Sequence, residues 1–316
     1  MNIRSIVQTV FGVATYIPGV YEWRSKKLGS GGTYSARYCY SVWMRHIIMA
    51  NNNKLNSYPR IVAELGPGDS LGMGLMALLL GSERYYAFDV VKFANIDKNL
   101  SILDELIKML LNAENIPDDK EFPRINPHLD NYNFPKNIYS KEHLTKCLNI
   151  DRINKIKNSL KKPDNKESMI IYKVPWFDNK IIKKGRVDMI MSQAVLEHID
   201  DLDTTYKKLY DWLKKDGFMS HAIDFKSHGY ASTWDGHFTI SDWRWKLLRG
   251  KRPYLLNREV FSTHKNLLNK YKFNTVKSIP ITKKPNFEIH QLNKRYKNIT
   301  EEDRKTSGVF IQANKI

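Results

Sequence analysis

The sequence predicts an α/β chain built on a doubly wound, mostly parallel sheet of seven strands with helical insertions. Three observations lead there. From Arg60 onward, short apolar runs of strand length alternate with amphipathic stretches of helix length. A glycine-rich turn joins the first run to the first helix in "VAELGPGDSLGMG", Val62 to Gly74. The alternation also resumes after each of two irregular stretches, as expected of insertions in one domain.

The elements follow in order. "MNIRSIVQTVFGVATYIPGVY" reads as an amphipathic helix, since Gln8, Thr9 and Thr15 interrupt its apolar run and no clean cleavage site follows. It either packs on the domain or lies on a membrane surface. The "GSGG" of Gly29 to Gly32 punctuates the arm, and a helix is predicted over Ser35–Ala50. We place the N-terminal helical arm at residues 1–56 and the main domain at 57–316. "RIVAEL" is the first strand, Ser70–Leu80 the first helix and "RYYAFDV" the second strand. Asn99–Asn112 is the next helix. Residues 115–166 are proline-rich and read as an insertion and lid, with helices over Lys141–Asn149 and Asp151–Leu160. "SMIIYKVPW", "RVDMIMS" and "GFMSHAIDF" are the third to fifth strands, with a helix over Leu202–Leu213 before the last. Residues 226–253 are the second irregular insertion. A helix in "NREVFSTHKNLLNKYKF" and the strands "FNTVKSIP" and "SGVFIQANK" close the sheet.

Composition narrows the class. An apolar fraction of 42% over 316 residues fills a real core. Cys39 and Cys147, far apart and without zinc-ligand spacing, fit a reducing compartment. The net charge of +18 invites a nucleic-acid partner. However, the lysines are spread along the chain in a Lys-, Asn- and Ile-rich composition, so an anionic glycan, a lipid surface or plain solubility fits equally. No run reaches the ~18 apolar residues of a membrane span.

The glycine turn asks what it cradles. Gly66, Gly68 and Gly72 are spaced G-x-G-x-x-x-G, one residue too long for a dinucleotide loop, and no lysine supplies a phosphate loop. Glu64, at the end of the first strand, would repel a pyrophosphate and welcome an ammonium. Asp69 adds a second acid. Asp89, about twenty residues past the glycines, is placed to accept both hydroxyls of a ribose. An amine, close backbone approach and a ribose together are the demands of S-adenosylmethionine (SAM).

With those residues in view, the chain resembles the class I SAM-dependent methyltransferases, type 11-like. "VAELGPGDSLG" resembles the family's first motif and "YYAFDVV" its ribose-binding acid. "VDMIMSQAVLEHIDDL" resembles its fourth-strand motif, and "LYDWLKKDGFMSH" its helix, turn and fifth strand. "SARYCYSVW" and "SHAIDFKSHG" add a looser likeness to methyltransferases of bacterial surface-polysaccharide synthesis. The resemblance implies a Rossmann-like fold. It assigns Glu64, Gly66, Pro67, Gly68 and Asp69 to the methionine end of SAM, and Asp89 with Val90 to the ribose. Trp176 would stack on the adenine, with Asp178 as acceptor for its amine. Ser192 and Gln193 would lie near the sulfonium. Arg37, with Tyr38, either closes over the carboxylate or forms a surface salt bridge.

Methyl transfer to a hydroxyl needs an aligned acceptor and a general base. His221, His228 and His237 cluster with Asp224 and Asp235 at the fifth strand and its following loop, where an open α/β sheet places its ligands. Asp224 and His228 form the better pair, because His221 and Asp224 face opposite sides of an ideal strand. His198 in "LEH" is the rival, with a structural hydrogen bond as its plain alternative. Trp234, His237, Arg258 and His264 are candidates for binding the acceptor. No metal motif is recognisable, and no metal is expected.

The reading is thus SAM-dependent O-methylation of a sugar or glycan precursor by a cytoplasmic enzyme, peripheral to the inner membrane if the N-terminal helix touches lipid. A tRNA or rRNA methyltransferase is the alternative, without the "[DN]-P-P-[YF]" tetrapeptide of base amino-group methylases. A SAM-binding partner protein without catalysis is the third. Oligomeric state stays open.

Overall fold

The computed structural model describes residues 3–20, 33–176, 181–252 and 254–316. Its sheet has seven strands in the order β3-β2-β1-β4-β5-β7-β6. They are β1 Ile61–Leu65, β2 Arg84–Phe88, β3 Ile170–Lys173, β4 Val187–Gln193, β5 Leu213–Asp224, β6 Phe273–Thr282 and β7 Thr306–Lys315. The first five pair in parallel. β7 runs antiparallel between β5 and β6. The strand order reverses direction between β1 and β4, so the crevice beyond their carboxyl ends is the expected ligand position.

Alternation along β1 divides the core. Val62 belongs to one apolar cluster, with α2 (Ala36–Asn52), α3 (Gly72–Leu79) and α4 (Ile96–Leu111). Ala63 and Leu65 belong to the other, with α7 (Leu202–Trp212) and α9 (Phe261–Lys270). α4 begins three residues before the predicted start because the Asn95 side chain caps it, accepting from Lys98 N at 2.8 Å.

The arm does not stand apart. Cys39, Tyr40, Trp43, Met44 and Ile47 of α2 are buried in the main core. Its first helix, α1 (Ile3–Ala14), instead rests on α8 (Asp242–Arg249). That helix was missed within the second irregular stretch. "DWRW" alternates like a strand, but Trp245 and Leu248 are buried one helical turn apart and set the helix.

Residues 115–166 form a wall rather than a free lid. Helices α5 (Lys141–Cys147) and α6 (Ile150–Lys161) lie in it, and Ile116, Ile125, Phe134, Ile138 and Ile156 join the core. Buried Arg45 ties the wall down by donating to Asp119 at 2.9 Å and to the carbonyls of Pro127 at 2.9 Å and Ile125 at 3.2 Å. A short helix, α10 (Glu301–Lys305), capped by Thr300, leads directly into β7. Among the described residues, no helix is long and apolar enough to cross a membrane.

Candidate active site

The carboxyl ends of β1, β2, β4 and β5 meet at one crevice. The glycine turn leaves β1 with Gly66 and Gly68 at φ +64 and +71, a conformation that favours glycine. A Cβ on Gly66 would also strike Val195 at 2.6 Å. The two later glycines are packing positions. A Cβ on Gly72 would meet Cys39 Sγ at 2.4 Å, and one on Gly74 would meet the Tyr85 ring at 2.1 Å.

Five amides of this turn and helix start are engaged within the chain. Gly66 N donates to the Phe88 carbonyl at 2.7 Å and Gly68 N to Asp89 at 3.3 Å. Ser70 N donates to Thr33 at 3.1 Å, Leu71 N to Asn99 at 2.8 Å and Gly72 N to Ser70 at 3.2 Å. A phosphate approaching α3 would find these donors taken by the chain itself.

Glu64 is fully buried. Tyr85 donates to its Oε2 at 2.5 Å, whereas Oε1 has no partner among the described residues. Burial pushes the carboxyl up to about 8; the Tyr85 hydrogen bond opposes this and the charge of Asp89 adds to it. The site therefore holds a carboxyl that a cation would return to its charged form. Asp89 accepts from Val90 N at 2.7 Å as well as from Gly68 N. Burial raises it to about 6 against those amides. Pro67 is buried and Asp69 half-buried within the same turn.

At the end of β4, Ser192 Oγ lies 2.7 Å from His221 Nδ1. Gln193 Oε1 lies 3.1 Å from His46 Nε2, and His46 Nδ1 lies 2.7 Å from Ser220 Oγ. His46, fully buried on α2, is thereby a support that the sequence reading missed; its only signal was a histidine on an otherwise apolar helix face.

Beyond β4 and β5 lies a titratable cluster. Asp224 Oδ2 is 3.5 Å from His228 Nε2 and 2.9 Å from Lys226 Nζ. Burial alone would raise the Asp224 carboxyl, but His228 and Lys226 outweigh it and hold it at about 2. The His198 ring centre is 5.2 Å from that of His228, and burial lowers His198 to about 4. His237, buried beside this group, is lowered to about 3 by burial and then by Arg258 and His228.

Glu197 was quoted within "LEH" yet overlooked, because an acid at a helix start reads as a cap. It is only 2% exposed, and among the described residues neither carboxylate oxygen has a donor in hydrogen-bonding geometry. Burial drives it well above the usual carboxylate range, and the Asp224 charge adds to this; its own amide and that of Asp224 pull the other way. Glu197, His198 and His228 each present a potential ligand atom within 4.8 Å of the others, a juxtaposition that spacing did not reveal.

Three candidates are engaged away from the roles expected of them, and Arg37 forms the surface salt bridge that was its alternative. Trp176 is buried between Phe88 and Trp212, with ring centres 6.2 Å from each, and the Lys208 ammonium stands 5.2 Å from its ring. Arg37 donates two hydrogen bonds to Glu121, at 2.7 and 2.6 Å, fixing the insertion instead of reaching the crevice. Arg258 is buried over the Trp245 ring, donating to Asp242 at 2.6 Å and the Ile240 carbonyl at 2.8 Å. His264 is buried against Tyr206, 2.9 Å from its hydroxyl. Trp234 is half-buried and donates to the Lys284 carbonyl at 3.0 Å, while Asp178 lies outside the described residues.

No family model matches the chain, and no curated protein matches it. Solved structures do. A SAM-dependent methyltransferase from Mesorhizobium loti is 12% identical, with TM-score 0.39, over 81% of this chain and 91% of the other. A putative SAM-dependent methyltransferase from Listeria monocytogenes is 13% identical, with TM-score 0.41, over 87% and 98%. Geranyl diphosphate C-methyltransferase from Streptomyces coelicolor is 10% identical, with TM-score 0.42, over 86% and 79%.

Proposed function

We propose that the chain is a SAM-dependent methyltransferase that acts on a hydroxyl oxygen of a sugar or glycan precursor. The observation that carries the cofactor is the Oε1 of buried Glu64, unpartnered among the described residues, beside a glycine turn in which the Gly68, Ser70 and Leu71 amides are bonded within the chain. Those features suit an ammonium at close approach and disfavour a phosphate. Asp89, across the turn at the end of β2, fits the ribose.

SAM supplies an electrophilic methyl group; the remaining work falls to this chain. Glu64 and the Gly66–Pro67–Gly68–Asp69 turn hold the amino-acid end. Asp89 and the neighbouring Val90 backbone hold the ribose. Ser192 and Gln193 border the reacting end, with Gln193 steadied by His46. The acceptor hydroxyl docks at the Asp224–His228 pair, where His228 takes its proton and Asp224 orients the ring and stabilises the imidazolium. His198 and Glu197 line the same pocket, and Trp234 and His237 lie on the loop that flanks it. What supports an oxygen acceptor is this gathering of a carboxylate-paired histidine base with a second carboxyl group beside it. Two free, buried cysteines are in keeping with a cytoplasmic protein.

Titration calorimetry with SAM tests the cofactor. Heat with SAM and none with a nicotinamide dinucleotide is expected, and the reverse sinks the reading. Methyl transfer to nucleotide sugars but not to bulk RNA is expected of the acceptor. Transfer to RNA alone would make the chain an RNA methyltransferase, and SAM binding without transfer to either would make it a partner protein.

A further inference from the structure

The amphipathic helix α1 is mounted with its apolar side outward. Its inward contacts are small or polar apart from Phe11, whose ring lies 5.3 Å from the Arg252 guanidinium. A Cβ on Gly12 would meet the carbonyl oxygens of Leu247 and Leu248 on α8. Gln8 accepts from Arg252 at 3.1 Å, and Thr15 Oγ1 accepts from Lys251 N at 2.8 Å. At 100° per residue, Gln8 and Gly12 mark one side of α1 and Ile6, Val10 and Val13 fall opposite, while Thr15 and Ile17 lie in the turn that follows the helix. Ile6, Val10, Val13 and Ile17 are exposed, Val10 by 64% and Ile17 by 61%. No charged residue occurs from Ser5 to Ile17. On α8, Trp243 is 65% exposed, and Leu247, one turn on, is exposed too.

A helix that meets its own domain through Phe11, glycine and polar contacts leaves Ile6, Val10 and Val13 exposed, so the outward stripe is free for another surface. Charge says which one. Lys246, next to Leu247 on α8, is exposed, and the Lys251 ammonium stands 5.8 Å from the Tyr16 ring just past the end of α1. The whole chain carries +18. Two copies meeting here would bring like charges together, whereas an anionic bilayer attracts the lysines while its interface takes up valine, isoleucine and tryptophan.

We propose that α1 and the exposed side of α8 dock on the surface of an anionic phospholipid bilayer, with Val10, Val13 and Ile17 entering the acyl boundary. The inference is independent of the methyl-transfer reading, since no residue of that site takes part.

Flotation with vesicles tests it on the full chain. The protein should bind phosphatidylglycerol–phosphatidylcholine vesicles about tenfold or more tightly than phosphatidylcholine alone. Val10→Asp with Val13→Asp should abolish binding while leaving the melting temperature within about 2 °C, because both side chains face outward. Lys246→Glu with Lys251→Glu should weaken binding to anionic vesicles without touching the stripe. Failure of the wild type to bind anionic vesicles overturns the proposal, as does binding unchanged by the aspartates. A concentration-dependent dimer in sedimentation velocity, abolished by the same aspartates, would also overturn it and make the stripe an interface between copies.

Discussion

Tyr85 donates its hydroxyl proton to one oxygen of Glu64 and leaves the other oxygen buried without a donor among the described residues. The pair stands on adjacent parallel strands, and only one of its members can serve a ligand. Glu64→Gln should weaken SAM binding about ten- to a hundredfold, the ~1.5–3 kcal/mol of a charged hydrogen bond. Titration calorimetry checks it, and unchanged affinity removes Glu64 from the site.

The same carboxyl makes the unliganded protein pH-sensitive. Its folded pKa of about 8 lies above the ~4.3 of an unfolded glutamate. Its contribution to stability is thus fully present below about pH 4.3 and is lost as pH rises through 8. Glu64→Gln should therefore gain melting temperature relative to wild type between pH 5 and pH 8.5, measured without cofactor. An ammonium docking on Glu64 restores its charge, so SAM binding near pH 7 should release close to one proton. Calorimetry in buffers of different ionisation enthalpy counts it, and a count of zero argues against an ammonium at this position.

The parallel sheet was legible because each strand is a short apolar run and each connection has helix periodicity. That Glu64 and Asp89 stand at strand ends was legible because the apolar runs mark where the strands stop. What escaped depends on side chains meeting across the chain. Arg258 and His264 carry binding chemistry in sequence but are consumed by Asp242 and Tyr206. Trp176 is packed against aromatics from β2 and α7. Glu197 was hidden for the opposite reason, since nothing in "LEH" announces that its carboxylate would be buried without a donor among the described residues.

Gly74 shows how packing reaches the site. A Cβ there would lie 2.1 Å from the Tyr85 ring, the residue that holds Glu64. Gly74→Ala must displace that ring or α3 in a close-packed core, at about 1–3 kcal/mol. A lowered melting temperature with SAM affinity reduced alongside it is the expected outcome. Loss of stability with affinity intact would show that Tyr85 does not position Glu64.

The Asp224–His228 pair separates chemistry from binding. His228→Ala should lower turnover by about a hundred- to ten-thousandfold, the usual worth of a general base, and leave SAM affinity unchanged. Asp224→Asn should lose activity in the same direction, because the amide no longer stabilises the imidazolium. Glu197 and His198 decide whether His228 acts as a base at all, since the three offer ligand atoms within 4.8 Å of one another. If the ring takes the proton, activity persists in protein treated with a chelator, and Glu197→Gln spares the pH profile. If turnover instead requires an added divalent cation, and Glu197→Gln abolishes that requirement together with activity, His228 is a ligand and the base lies elsewhere. Rates measured with and without chelator, on the wild type and on Glu197→Gln, distinguish the two.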